Sequence, residues 1–382
     1  MTFKNFERTP LNLSISMMLS FGLVGTAQAE DSNQVAPAST QACVALESSS
    51  DRLACYDKLF KTTTAPTPVL VSEQRAAQDI EVAKVEPTTL KEKISQKAEI
   101  LFAVHDDKIN PNSSLLDRRW ELAQDSKLGT WNIRAHQPVY LLPAFWTSEK
   151  NELPHSPNPD NTETEQQNLK SMEAKFQISL KTKAAENLFG SNGDIWLGYT
   201  QSSRWQVYNS EESRPFRETN YEPEASLMFH TNYNVLGLNG RLFGVTLNHQ
   251  SNGRSDPLSR SWNRVIFNLG FEKDNFALML RPWYRIEEDF KDDNNPDIKN
   301  YIGRGDLTAF YRWKENEFSL MLRHSLKGGD DSHGAAQFDW AFPIKGNLRG
   351  HFQLFDGYGE SLIDYNHRAT YVGLGVSLMN WY

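Results

Sequence analysis

The chain has 382 residues, with 40 Lys+Arg against 48 Asp+Glu for a formal net charge of -8; only 39% of it is apolar and the mean hydropathy is -0.59. This excludes a bundle of transmembrane helices, and the mild acidic balance argues against a nucleic-acid partner, which needs a basic face. Aromatics nevertheless reach 12%, with 10 Trp and 13 Tyr, and the class that reconciles the two is a transmembrane β-barrel, apolar only on alternate residues and ringed by aromatic girdles.

Residues 1–29 read as a secretory signal peptide. Lys4 and Arg8 supply the positive start, Leu13 to Val24 an apolar stretch too short to span a bilayer, and Ala27-Gln28-Ala29 a small-x-small cleavage site. Residues 30–60 then form a small segment bearing Cys43 and Cys55. Their spacing fits no zinc or redox motif, and an exported compartment is oxidising, so a structural disulfide is preferred over two free thiols. Closing a loop of that size would contribute roughly 2–3 kcal/mol. Residues 61–110, with Thr62 to Thr64 and Pro66 and Pro68, read as linker or disorder, although Leu90, Ile94, Ala98 and Leu101 would also suit one short helix. A pre-barrel segment follows at 111–132.

From residue 133 to 382 the hydrophobic period is two. Ala174, Phe176, Ile178 and Leu180 alternate with Lys175, Gln177, Ser179 and Lys181; Ile195, Leu197 and Tyr199 alternate with Asp194, Trp196 and Gly198. Phe276, Leu278 and Leu280, and Phe318, Leu320 and Leu322, repeat the theme. About twelve such segments, punctuated by Gly, Asn and Asp, predict an all-β, twelve-stranded antiparallel transmembrane barrel with an N-terminal periplasmic extension. The last segment, Val372, Leu374, Val376 and Leu378, closes with Trp381-Tyr382 and resembles an outer-membrane insertion signal. A soluble β-sandwich would share the alternation.

Between Leu242 and Phe271 the outer parity turns polar. Phe243, Val245 and Leu247 lead to His249 and Ser251, while Val265, Phe267, Leu269 and Phe271 step back to Asn263. A hairpin can bring His249 beside Asn263 on the lipid-facing wall, where polar groups are costly and by default functional. The three side chains have the chemistry of a hydrolase: Ser251 as nucleophile, His249 as general base and then acid, Asn263 to orient the ring, with N–H donors at Asn252-Gly253 for an oxyanion. On spacing alone, His-x-Ser at a strand end near the headgroups is an equal reading, and there is no Gly-x-Ser-x-Gly elbow or His-Glu-x-x-His. Gln201 shares the outer parity of Ile195, Leu197 and Tyr199, where a second subunit's Gln could satisfy its amide.

The run Asn248 to Pro257, followed by Ser259 to Arg264, closely resembles outer-membrane phospholipase A, as do Asn209 to Pro223, Asn295 to Ile298 and Gly357 to Asn366. The resemblance covers roughly 133–382. It implies an enzyme cleaving acyl esters of glycerophospholipids and lysophospholipids at either position (A1/A2), in the outer membrane of a Gram-negative cell. It carries the triad to Ser251, His249 and Asn263, the oxyanion donor to the Gly253 N–H and a dimer contact to Gln201. It also implies Ca2+ as cofactor, held by the Ser259 hydroxyl, the Arg254 carbonyl and the Ser213 carbonyl of the partner subunit, with a homodimer as the active form and a monomer as the resting one. A second calcium position corresponds, within a residue because of the insertion at 292–295, to Asp293. The reading from another class is a barrel without catalysis, a small pore or a structural membrane protein; it leaves His249, Ser251, Asn263 and Gln201 on the apolar parity unexplained.

Overall fold

A computed structural model describes Cys43, Ser48, residues 50–53, Cys55 and residues 113–378, and the chain divides into two compact units, 1–84 and 85–382. The signal segment, the linker with its candidate helix at 90–102 and the terminal Trp381-Tyr382 lie outside the described residues. In the first unit Cys43 and Cys55 are disulfide-bonded, with their Cα atoms 5.5 Å apart.

The second unit opens with a helix, α1 (Leu115–Trp120), capped by the Ser114 hydroxyl and ended by Glu121 in the left-handed region at φ 50°. Strands β1 (Ile133–Ala135) and β2 (Tyr140–Thr147) both pair with β3 (Met172–Ala185) on the edge that β4 (Asp194–Trp205) does not use, so they form one strand interrupted at 136–139. There follow β5 (Phe216–Val235), β6 (Leu238–Ser251), β7 (Ser261–Lys273), β8 (Phe276–Ile286), α2 (Ile298–Tyr301), β9 (Gly305–Trp313), β10 (Asn316–His324), β11 (Gly334–Lys345), β12 (Leu348–Tyr358) and β13 (Arg368–Ser377). From β2 onward each strand pairs antiparallel with the next, and β13 returns to β2 with Leu374 opposite Ala144. β2 to β13 thus close a twelve-stranded barrel, as the alternation predicts. Closure is obligatory for a sheet in lipid, which offers no partner to an open edge.

The two rims differ. One has tight connections, including Leu236-Gly237, whose φ values of 52° and 83° match the twist of the β5–β6 hairpin. The other carries the long connections 148–171, 206–215, 252–260, 287–304, 325–333 and 359–367. In outer-membrane barrels short turns are periplasmic and long loops extracellular.

Along each strand the apolar parity, such as Ile178, Leu197, Leu247, Phe267, Leu320 and Leu374, is exposed on the outer wall, and the polar parity is buried inside. The lumen is packed with paired charges rather than left open. Arg204 meets Glu360 at 2.7 Å, Arg217 meets Glu173 at 2.9 Å and Asp364 at 2.8 Å, and Arg281 meets Asp306 at 2.7 Å. A cavity of about 330 Å³ remains. Connection 359–367 folds in from the long-loop side, burying Leu362, Ile363 and Tyr365. From the short-turn side α1 buries Leu115, Leu116 and Trp120 against Trp196, Met228, Leu242 and Met279. The ammonium of Lys181 lies 3.4 Å from the Trp120 ring centroid and 4.6 Å from that of Trp196, a cation held between two aromatic faces. Both mouths are therefore stoppered.

Glu121 ties the inner stopper to the wall, pairing with Arg134 and, at 3.0 Å, with the fully buried Lys183. Burial raises the Glu121 pKa, but the hydrogen bond from Arg134 and the charge of Lys183 outweigh it, so the carboxyl lies below its usual range. A depressed folded-state pKa contributes stability that is complete above the unfolded value and is lost as pH falls through the folded one. Glu121→Ala should destabilise the barrel by about 3–5 kcal/mol at neutral pH, the cost of orphaning a buried partner. The deficit should shrink below the ordinary carboxylate range. Urea unfolding in detergent, followed by tryptophan fluorescence at both pH values, measures it; an unchanged midpoint at neutral pH would refute the assignment.

Candidate active site on the lipid-facing wall

The β6–β7 register places His249 opposite Asn263 and Ser251 opposite Ser261. On the other edge of β6, Ser251 faces Tyr221 of β5, and Tyr221 in turn faces Gln201 of β4. On the other edge of β7, Asn263 faces Ile286 of β8. This register is clamped from behind: in the lumen Arg264 donates to the Asn248 side chain at 2.7 Å and pairs with Glu222 at 2.8 Å, and the Trp262 indole donates to Gln250 at 2.8 Å. A one-residue slip would send every one of these polar groups into lipid.

In front of that clamp, His249 is exposed, while Ser251 and Asn263 are half-buried on the same outer parity. His249 Nδ1 lies 2.8 Å from Asn263 Oδ1, and Asn263 Nδ2 donates to Glu288 Oε1 at 2.8 Å. Serine, imidazole and amide thus share one face at the height of the long-loop rim. Glu288 is a member that sequence reasoning missed. The available signal was parity: Leu280, Tyr284 and Ile286 point outward, and Glu288 continues that series two residues past the partner of Asn263.

The β6–β7 connection is built to hold its backbone still. The buried Asn252 side chain accepts from the Arg260 N–H at 2.9 Å and the Arg254 N–H at 3.3 Å, and donates to the Leu258 carbonyl at 2.8 Å. Arg260, fully buried, donates to the carbonyls of Ser259 at 2.7 Å and Asn161 at 2.9 Å. Within this frame Gly253 has φ +63°, and a Cβ there would lie 3.0 Å from the Tyr221 ring. Among the described residues no hydrogen bond uses the Gly253 N–H. A serine on the same face as an imidazole two residues before it, with an unengaged N–H two residues after it, is a set of groups that acyl transfer uses.

A model of the phospholipase A1 family matches residues 116–378. The chain belongs to that family. A relative in Neisseria meningitidis serogroup B, which carries the phospholipase A1 name provisionally, is 36% identical over 87% of this chain and 89% of its own. Phospholipase A1 of Escherichia coli K12 is 42% identical over 56% of this chain and 71% of its own. Among solved structures, outer membrane phospholipase A from E. coli superposes with a TM-score of 0.57 at 37% identity, covering 65% of this chain and 94% of that one. A Salmonella typhi outer membrane phospholipase, solved as a dimer with bound calcium, gives a TM-score of 0.58 at 37% identity, covering 67% and 94%. The barrel is thus a phospholipase in the outer membrane of a Gram-negative cell.

The remaining expected residues of the phospholipase site lie along the same rim. Among the described residues no carbonyl acceptor role is taken by Arg254, whose side chain donates to the Arg217 carbonyl at 2.7 Å. The Ser259 hydroxyl accepts from Asn294 Nδ2 at 2.6 Å. Ser213 is exposed in connection 206–215 with φ 57°. Asp293 is buried, with both oxygens on Arg285 at 2.6 and 2.7 Å, so the neighbour that reaches Ser259 is Asn294. The Gln201 amide oxygen accepts from the Tyr199 hydroxyl at 3.2 Å, which meets part of its need within one chain. No group of three or more His, Cys, Asp or Glu side chains collects among the described residues. Hydroxyl and carbonyl oxygens are the available donors, and these are hard ligands of the kind calcium takes.

Gly253→Val should force the backbone out of the left-handed region and against Tyr221, lowering phospholipid turnover by up to about 10²–10³ if the N–H donor is lost. Heat-modifiable electrophoretic mobility should still report a folded barrel. A folded variant with normal turnover would exclude Gly253.

Proposed function

We propose that this phospholipase is a calcium-dependent serine hydrolase that cleaves acyl esters of glycerophospholipids and lysophospholipids at either position, through Ser251, His249 and Asn263. The observation that carries the reading is the 2.8 Å contact between His249 Nδ1 and Asn263 Oδ1 on the lipid-facing wall. An amide oxygen can only accept, so the proton sits on Nδ1 and the Nε2 lone pair is free. Ser251 Oγ then attacks the ester carbonyl while Nε2 takes its proton. The same proton passes to the glycerol oxygen as the tetrahedral intermediate collapses, leaving an acyl-enzyme. Water, deprotonated by Nε2, attacks the acyl carbon; the serine recovers its proton and the fatty acid leaves. The Gly253 N–H is the oxyanion donor. An E. coli relative solved as an active-site variant with asparagine replaced by alanine supports an asparagine in the site.

Calcium would be held by the Ser259 hydroxyl, the Arg254 carbonyl and the Ser213 carbonyl of the partner subunit; when bound it supplies electrostatic stabilisation of developing negative charge. The relative solved as a dimer with bound calcium supports calcium as the cofactor and a dimer as the form that binds it. A single chain offers too few of these oxygens, so the homodimer is the active form and the monomer the resting one. The Gln201 row, level with Ser251 across β5, supplies a contact between subunits. Asp293, which corresponds to a second calcium position, is not one of these ligands and pairs here with Arg285.

Fatty-acid release from phospholipid micelles tests the reading. Ser251→Ala should abolish release while the barrel stays folded, and a chelator should do the same to the wild type reversibly. Equal release by Ser251→Ala would remove Ser251 from the mechanism; release that persists in chelator would remove calcium.

A further inference from the structure

Asparagine is a weak third member for such a triad. It is neutral, so it stabilises an imidazolium poorly, and its two-fold amide can turn its NH2 toward the ring as readily as its oxygen. With the NH2 on Nδ1, the ring proton would move to Nε2, and the imidazole could no longer accept the serine proton. Something must hold the amide the right way round.

We propose that Glu288 is the positioning residue that does so, making the relay Ser251, His249, Asn263, Glu288; the inference rests on the hydrolase reading above. Glu288 Oε1 receives the Asn263 Nδ2 hydrogen at 2.8 Å, on the side of the amide opposite His249. A carboxylate only accepts, so an NH2 must face it, and the amide oxygen is thereby turned to the ring. The bond is also charge-assisted: an anion on the NH2 polarises the amide and makes Oδ1 a stronger acceptor for the imidazolium N–H.

The placement fits this use. Ile286 is the register partner of Asn263, and Glu288 lies two residues further on the same outward series, at the start of connection 287–304. The adjacent Glu287 pairs with Lys299 at 2.5 Å, whereas among the described residues Glu288 makes no ion pair. Its carboxylate is thus reserved for Asn263. Glu288 reaches no reacting atom and acts through Asn263.

The test uses full-length refolded protein on mixed phospholipid micelles with calcium, each variant checked for heat-modifiable mobility. Glu288→Ala should lower kcat by about ten- to a hundredfold, the usual consequence of removing a partner that orients a functional side chain. KM should not move. Glu288→Gln can still accept from Asn263 and should lose less. Asn263→Asp alone should be severely impaired, because two carboxylates would then face each other. Asn263→Asp combined with Glu288→Gln should recover at least about tenfold over Asn263→Asp, since the introduced amide can donate to the introduced carboxylate. A residue that merely tethers the loop predicts no such recovery. Wild-type kcat in folded Glu288→Ala, or no recovery in the double variant, overturns the role of Glu288 while the Ser251 reading stands. If Glu288→Ala does not fold, the Asn263→Asp pair decides alone. Wild type without activity, or unaffected by Ser251→Ala, takes both down.

Discussion

Hydrocarbon offers no hydrogen bonds, and most of this structure answers to that fact. It forces the sheet to close on itself, with β13 returning to β2, and it forces each strand to give one parity to lipid and the other to the lumen. A polar side chain on the outer parity must then find its partners on that wall or reach the water at the rim. His249, Asn263 and Glu288 do the first, each meeting the next at 2.8 Å. In the proposed relay the carboxylate takes the amide NH2 and leaves the amide oxygen for the ring.

The lumen follows the opposite logic. Its charges are removed from water and survive because they are paired, often more than once: Glu360 takes both Arg204 and Lys175 at 2.7 Å, and Lys183 sits between Glu121 and Asp194 at 3.0 Å each. A polar barrel interior is easily taken for a conduit. Here α1 closes one mouth and connection 359–367 the other, and Arg217 joins Asp364 of that connection to Glu173 of the wall. Such a filling contributes rigidity. The outer wall can hold a cross-strand pair to hydrogen-bond tolerance only if the sheet behind it does not breathe, and the Arg264, Asn248 and Glu222 cluster lies directly behind His249 and Asn263.

What could be read from residues alone depended on range. Strand alternation is local, so the barrel was legible, and the His249–Asn263 pair was too, because one hairpin and a period of two fix it. Features that depend on where distant segments land were not. The segment 111–132 gave no hint that Leu116 and Trp120 would enter the lumen, since an amphipathic turn looks the same whether it faces solvent or a barrel mouth. Alternation put Lys181 on the lumen parity without naming a partner; its two tryptophans come from α1 and β4. Asp293 pairs with Arg285 only because connection 287–304 folds back on the end of β8, which spacing alone does not show. Glu288 lay past the end of a strand, where parity is usually abandoned.

That last position bears on why the proposed triad takes an asparagine, Asn263, as its third member. An aspartate at 263 would stabilise the imidazolium better, but it would place a full charge on the membrane-facing wall, where an ionised group costs several kcal/mol unless water or a cation attends it. Moving the charge to Glu288, at the mouth of connection 287–304, leaves it within reach of headgroup water. In the proposed relay the amide conveys part of its effect inward as a dipole. The hydrogen bond lost in strength at His249 is offset by the desolvation avoided at 263, and the outer wall keeps a neutral surface for an acyl chain to lie against. A triad on a soluble enzyme faces no such constraint, because its third member can be buried in protein that solvates it. In lipid the charge and the contact have to be separated, and on the proposed relay Asn263 and Glu288 together take the part of one side chain.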